Sequence, residues 1–191
     1  MKTKTTFKLV LFTALLCFIF SGIKAQVQEY VSPTKPAQTG RSPGVKVKLI
    51  SDNGTTKVYF LVFAAGDEIM SGLNEFAQKY NVKSAHFTAI GDATSAKIGW
   101  YDGSRKMFKV NAINQQSEIT SLIGDIAIFN DKPVVHIHIN LAGEDGTVRG
   151  GHLLEAFVAP TLEVMMTVEP VSLYKKMDPE FGIAIIDPDR K

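Results

Sequence analysis

Pro133-Val134-Val135-His136-Ile137-His138-Ile139-Asn140-Leu141-Ala142-Gly143-Glu144-Asp145-Gly146-Thr147-Val148-Arg149-Gly150-Gly151-His152-Leu153-Leu154-Glu155 is the stretch on which the fold turns. Apolar and polar side chains alternate from Val134 to Leu141, Gly143 to Gly146 is a turn cluster, and Thr147 to Val158 resumes a strand pattern, so the segment reads as a β-hairpin. Three of the four histidines lie on it. His136 and His138 share one strand face, because side chains repeat with period two. An odd turn such as Glu144-Asp145-Gly146 sets His138 opposite His152. An even turn sends His152 to the other face unless a bulge restores the register, and Gly150-Gly151 is where such a bulge is expected.

Three imidazoles converging on one face fill three positions of a tetrahedral ion and leave the fourth open for a ligand. One divalent transition metal per chain is therefore expected on His136, His138 and His152. Zinc leads on ligand type, although nickel, copper and iron also take imidazoles. The competing reading is a pair of hairpin histidines hydrogen-bonded to their neighbours with no ion. His86 has no partner in its own stretch and reads as an ordinary strand histidine.

Working outward, residues 1–25 combine Lys2, Lys4 and Lys8 with an apolar run from Leu9 to Phe20 and small residues ending at Ala25. This is the pattern of a secretory signal peptide cleaved before Gln26, and it places the protein outside the cytoplasm, periplasmic or extracellular. The run is too short to span a membrane comfortably, and no membrane span is expected in the mature chain. Cys17, the one cysteine, lies inside the leader, so the mature chain needs no disulfide. The leader also carries Lys24 and no acid. Its removal leaves 17 basic against 19 acidic residues, a formal charge of −2 where the precursor has +2. That balance argues against nucleic acid as a partner.

Residues 26–43 hold Pro33, Pro36 and Pro43 among polar residues and read as a flexible lead-in to a domain over 44–188. Gly40-Arg41-Ser42-Pro43-Gly44 has one arginine where a minor-groove hook needs two, and reads as linker. Val45 to Ile50 and Lys57 to Phe63 are strands about an Asp52-Asn53-Gly54 turn. Gly66 to Tyr80 is the clear helix, with Ile69, Leu73, Phe76, Ala77 and Tyr80 on one stripe. Lys83 to Tyr101 reads as two apolar segments broken at Gly91-Asp92. Met107 to Ile113, Glu118 to Phe129, Leu162 to Val168 and Ile183 to Ile186 add strands. The basic pairs Arg105-Lys106 and Lys175-Lys176 read as solvated strand ends. Many short strands with one helix predict an α+β domain: a mostly antiparallel, twisted sheet with the helix packed on it.

Several pieces recur in a recognisable order: Gly66-Asp67-Glu68-Ile69, Ala89-Ile90-Gly91-Asp92 with Ile98-Gly99-Trp100-Tyr101-Asp102, Glu118 to Gly124, His136-Ile137-His138, Gly150-Gly151-His152-Leu153 and Leu162-Glu163-Val164. Together they make the chain resemble the PPC (plants and prokaryotes conserved, DUF296) domain over about Val45 to Ile186. The resemblance implies a compact domain that assembles as a homotrimer. In plants the domain follows AT-hooks that grip DNA. Stand-alone prokaryotic members share the histidine pattern, which falls here on His136, His138 and His152. The leader and the absence of an AT-hook depart from the plant arrangement.

Two classes of function follow. One is an exported, homotrimeric metal protein, a hydrolase or lyase acting on a small ligand. There Asn140 and Arg149 are the candidate substrate-binding residues, and Glu118 and Glu163 the candidate general bases or imidazole partners. The other is a non-catalytic assembly or binding module, including DNA binding, in which Arg149 is a sheet-edge charge and the two acids partner polar groups.

Overall fold

The computed structural model describes residues 27–190. The leader read at residues 1–25 lies outside them. The described residues form β1 (Tyr30–Val31), β2 (Lys46–Asp52), β3 (Lys57–Ala64), α1 (Ile69–Lys79), β4 (Ser84–Asp102), β5 (Met107–Ile113), β6 (Ser117–Phe129), β7 (Lys132–Ala142), β8 (Val148–Val168), β9 (Tyr174–Asp178) and β10 (Ile183–Asp187). The strands make one sheet in the order β1-β5-β4-β6-β7-β8-β3-β2, and β4 also pairs with β8. All these pairings are antiparallel, and β4–β6, β6–β7, β7–β8 and β8–β4 close a circuit. The α+β architecture expected from the sequence is the one found.

Alternation in the sequence becomes alternation of burial. Val135, Ile137, Ile139 and Leu141 of β7 are buried, which throws His136, His138 and Asn140 onto the opposite face. The buried face receives α1, whose Ile69, Leu73, Phe76 and Ala77 join the same core. Glu68 caps the helix: its carboxylate accepts from Met70 N at 3.1 Å and Ser71 N at 2.7 Å. It also accepts from Ala156 N at 3.2 Å, tying the helix start to β8.

Two long strands replace what the sequence suggests are four shorter ones. β4 runs through Gly91 with a register shift rather than a break. A Cβ at Gly91 would collide with the Thr161 carbonyl oxygen, so glycine is what lets β4 and β8 approach there. β8 likewise continues through Pro160. The lead-in is also more structured than its composition suggests. Tyr30 and Val31 pair with Lys109 and Phe108 of β5. Farther on, Gly40 N donates to Glu75 at 2.7 Å and Arg41 N to Ser71 at 3.0 Å, which fastens the segment to α1. Lys175 corrects another expectation. It is buried, with 5% of its side chain exposed, whereas Lys176 is the solvated member of the pair and lies 3.3 Å from Asp187.

Candidate metal centre

The turn between β7 and β8 sets the site. Gly143 N donates to Thr147 O at 3.0 Å, leaving Glu144-Asp145-Gly146 as the tip. Gly146 adopts φ +77°, a conformation glycine takes without strain. Asp145 fixes the exit by accepting from Thr147 N and Thr147 Oγ1, both at 2.9 Å. The odd tip puts His138 directly opposite His152. No bulge is needed at Gly150-Gly151, where the ladder runs without a shift. These glycines serve close approach instead: a Cβ on Gly150 would run into the Asn140 side chain, and one on Gly151 would lie 2.9 Å from the Gly99 carbonyl oxygen.

His136, His138 and His152 thus meet, with one donor nitrogen from each lying within 4.8 Å of the others. Ring centroids are 5.2 Å apart for His136–His138 and for His136–His152, and 5.7 Å for His138–His152. A tetrahedral ion with bonds of about 2.0–2.1 Å wants its donors about 3.3 Å apart, so donors spaced up to 4.8 Å would have to draw together to share one. Donor type fits, three imidazoles being the set of an open site.

Neighbouring groups prepare the rings. His136 Nδ1 lies 3.2 Å from Asp125 Oδ2, from the residue opposite it on β6. With that nitrogen donating, Nε2 keeps a lone pair for an ion. Asp125 Oδ1 is buried with no hydrogen-bond partner of good geometry, and the Lys175 ammonium stands 3.4 Å from it. Burial alone would raise the Asp125 carboxyl, but the hydrogen bond with His136 and the charge of Lys175 outweigh it and hold the pKa below its ordinary value. His152 is stacked on Phe108, centroids 4.3 Å apart and planes 7° from parallel. Phe108 can lie there because Gly99, the residue paired with His152 on β4, has no side chain: a Cβ would come within 2.9 Å of the ring. Burial, then the nearby His136, His138 and Lys175, push His152 down to about 3. Burial and His136 also lower His138. Neutral imidazoles are the form that ligates. A groove of about 790 Å³ is lined by His152 and Phe108 together with Val31 to Gln38, but not by His136 or His138.

The other candidates fall at different places. Asn140 is on the histidine face and donates to Ser121 Oγ at 2.9 Å. Arg149 lies opposite Leu141, on the face away from the histidines, and donates to Ala112 O at 3.3 Å. Glu118 is exposed opposite Ala142, near the hairpin tip. Glu163 is exposed on the far half of β8, between Val62 and Ile90. His86 lies 3.6 Å from Glu169. Asp125, Phe108 and Lys175 join the site although the sequence pattern assigns none of them to it. An acid set in the otherwise apolar run Ile123 to Phe129 is the one signal among them that stood in the sequence.

The Plants and Prokaryotes Conserved (PCC) domain profile matches residues 50–169. The chain belongs to that family. Among solved structures, this PCC-domain protein is similar to a plant- and prokaryote-conserved protein of Pyrococcus horikoshii, at 26% identity and TM-score 0.65 over 81% of this chain and 100% of that one. A metal-containing protein of Archaeoglobus fulgidus matches at 29% identity and TM-score 0.63, covering 74% of this chain and 96% of that one. A candidate DNA-binding protein of Ralstonia eutropha matches at 31% identity and TM-score 0.64, covering 68% and 90%. None of the curated proteins matches the PCC-domain chain. No helix among the described residues is long and apolar enough to cross a membrane.

Proposed function

We propose that this PCC-domain protein is an exported, homotrimeric metal protein that holds one divalent ion, zinc, on His136, His138 and His152 and acts as a hydrolase or lyase on a small ligand. The observation that carries the reading is convergence: three imidazole donors within 4.8 Å of one another, one of them backed by a carboxylate. The Archaeoglobus fulgidus relative, described as metal-containing, supports it. His136, His138 and His152 would hold the ion, which would supply Lewis acidity to a bound ligand, and the groove that His152 lines has a volume that suits a small molecule. Asn140, two residues beyond His138 on the same strand face, would have the role of orienting a ligand at the ion. Within one protomer Arg149, Glu118 and Glu163 stand away from the histidines, and the proposal gives them no role in the chemistry.

The test is metal content. Protein lacking residues 1–25, purified without chelator, should carry about one zinc per chain. His138→Ala should carry almost none while keeping its oligomeric state by sedimentation. Full occupancy in that variant would remove the ligand set. Export is tested separately, by the N-terminal residue of the protein recovered outside the cytoplasm.

The DNA-binding name of the Ralstonia eutropha relative favours a second reading. In that case the leaderless protein should bind duplex DNA with an affinity falling steeply as salt rises. Its formal charge of −2 leads us to expect no such binding.

A further inference from the structure

We propose that the C-terminal hairpin β9–β10 is a working part of the metal centre, with Lys175 the positioning residue that, through Asp125, holds His136 ready for the ion. The inference rests on the metal-binding reading above, and it adds to the site a hairpin beyond the family match, which ends at residue 169.

Lys175 is the one cation in the buried set among the described residues. Burying an ammonium is costly unless a counter-charge meets it. Asp125 is that counter-charge, with Oδ1 at 3.4 Å. The same oxygen has no hydrogen-bond partner of good geometry, so the ammonium is the one group it faces, while Oδ2 faces His136 Nδ1 at 3.2 Å. Each carboxylate oxygen thus has a different task, and the pair of tasks fixes the plane of the group. A carboxylate locked in that plane accepts from Nδ1–H of His136 and so selects the tautomer whose Nε2 is free. The residue opposite Asp125 on β4 is His86, which turns to Glu169 at 3.6 Å and leaves Lys175 without a rival.

The hairpin is held where the lysine can reach. Ile128 N donates to Leu173 O at 2.7 Å and Leu173 N to Lys83 O at 3.2 Å, and Tyr174 sits beside Ile128 of β6. β6 also carries Asp125, so one strand both anchors the hairpin and presents the carboxylate that its lysine meets.

Two measurements test it. In metal-free protein, nitrogen-15 NMR should find His136 protonated at Nδ1. Lys175→Met should then bring in the other tautomer, whereas Lys176→Met, on the same hairpin, should change nothing. In zinc competition against a chelator, Asp125→Asn should weaken binding about 10- to 100-fold and Lys175→Met about 10-fold. Adding Lys175→Met to Asp125→Asn should cost less than about 2-fold more, because the two act in series. Equal cost of Lys175→Met in both backgrounds, or an Nε2-protonated His136 in the wild type, would overturn the proposal. If Lys175→Met does not fold, the wild-type tautomer decides alone. A wild type that takes up no zinc removes the metal reading, and the tautomer still tests the relay.

Discussion

His138 and His152 stand opposite one another across the β7–β8 ladder, their ring planes at 90° and their centroids 5.7 Å apart. Neither ring can ligate the ion alone, so replacing either by alanine should lower zinc affinity by at least about 100-fold. Asn140→Ala, one strand step away, should leave zinc content unchanged. Elemental analysis of the three variants, each checked for native circular dichroism, separates ligands from neighbours.

The Phe108 ring shields His152, and burial is the main reason that imidazole resists protonation. Phe108→Ala should therefore move the His152 titration up toward 6.5 and cost about 1–3 kcal/mol of stability. Histidine NMR titration and urea unfolding give the two numbers. A His152 that still titrates near 3 in the variant would show that Phe108 is not the shield.

Acid should act on this protein through the same group. The unfolded chain takes up a proton on residue 152 near 6.5, while the folded chain does so only near 3. Between those values the unfolded state holds more protons, so stability rises with pH through the window and is lost as pH falls. His138 contributes in the same direction. Allowing for partial exposure, metal-free protein should lose on the order of 3 kcal/mol on going from neutral pH to about 3.5. His152→Gln should flatten that slope in urea melts.

Glu68 is 2% exposed and accepts from three backbone N–H groups, two in α1 and one in β8. Glu68→Ala leaves those donors unsatisfied and should cost about 2–4 kcal/mol in urea unfolding. Because the cap joins the helix to the strand bearing His152, zinc affinity should fall with it. Glu68→Gln, which keeps a single acceptor oxygen, should fall between the two.

The hairpin was legible in the sequence because its information is local. Period-two alternation and an odd turn fix which residues face together, and Val135 to Leu141 follow that rule without exception. The helix was legible for the same reason, its stripe beginning at Ile69 as the apolar spacing requires. What escaped was set by distant pairings. Asp125 meets His136 only through the β6–β7 register, Phe108 meets His152 only because Gly99 is bare, and Lys175 arrives from a later hairpin. Charge in a strand looks solvated until its neighbours are known, which is why Lys175 and Lys176 read alike. The long β4 and β8 each look like two segments in the sequence because Gly91 and Pro160, residues that weaken or interrupt a strand pattern, here sit inside one.

The four-strand circuit has a consequence for how this chain can change. At His138 and His152 the backbone has partners on either side, β6 and β8 for the first and β7 and β4 for the second, which pins the register there; the β7–β8 ladder ends at that pair, and His136 is held from the β6 side. Side chains on the outward face are thereby uncoupled from the job of holding the scaffold together. Such a frame lets a lineage, or an engineer, exchange one donor for another and retune which ion is taken without redesigning the chassis.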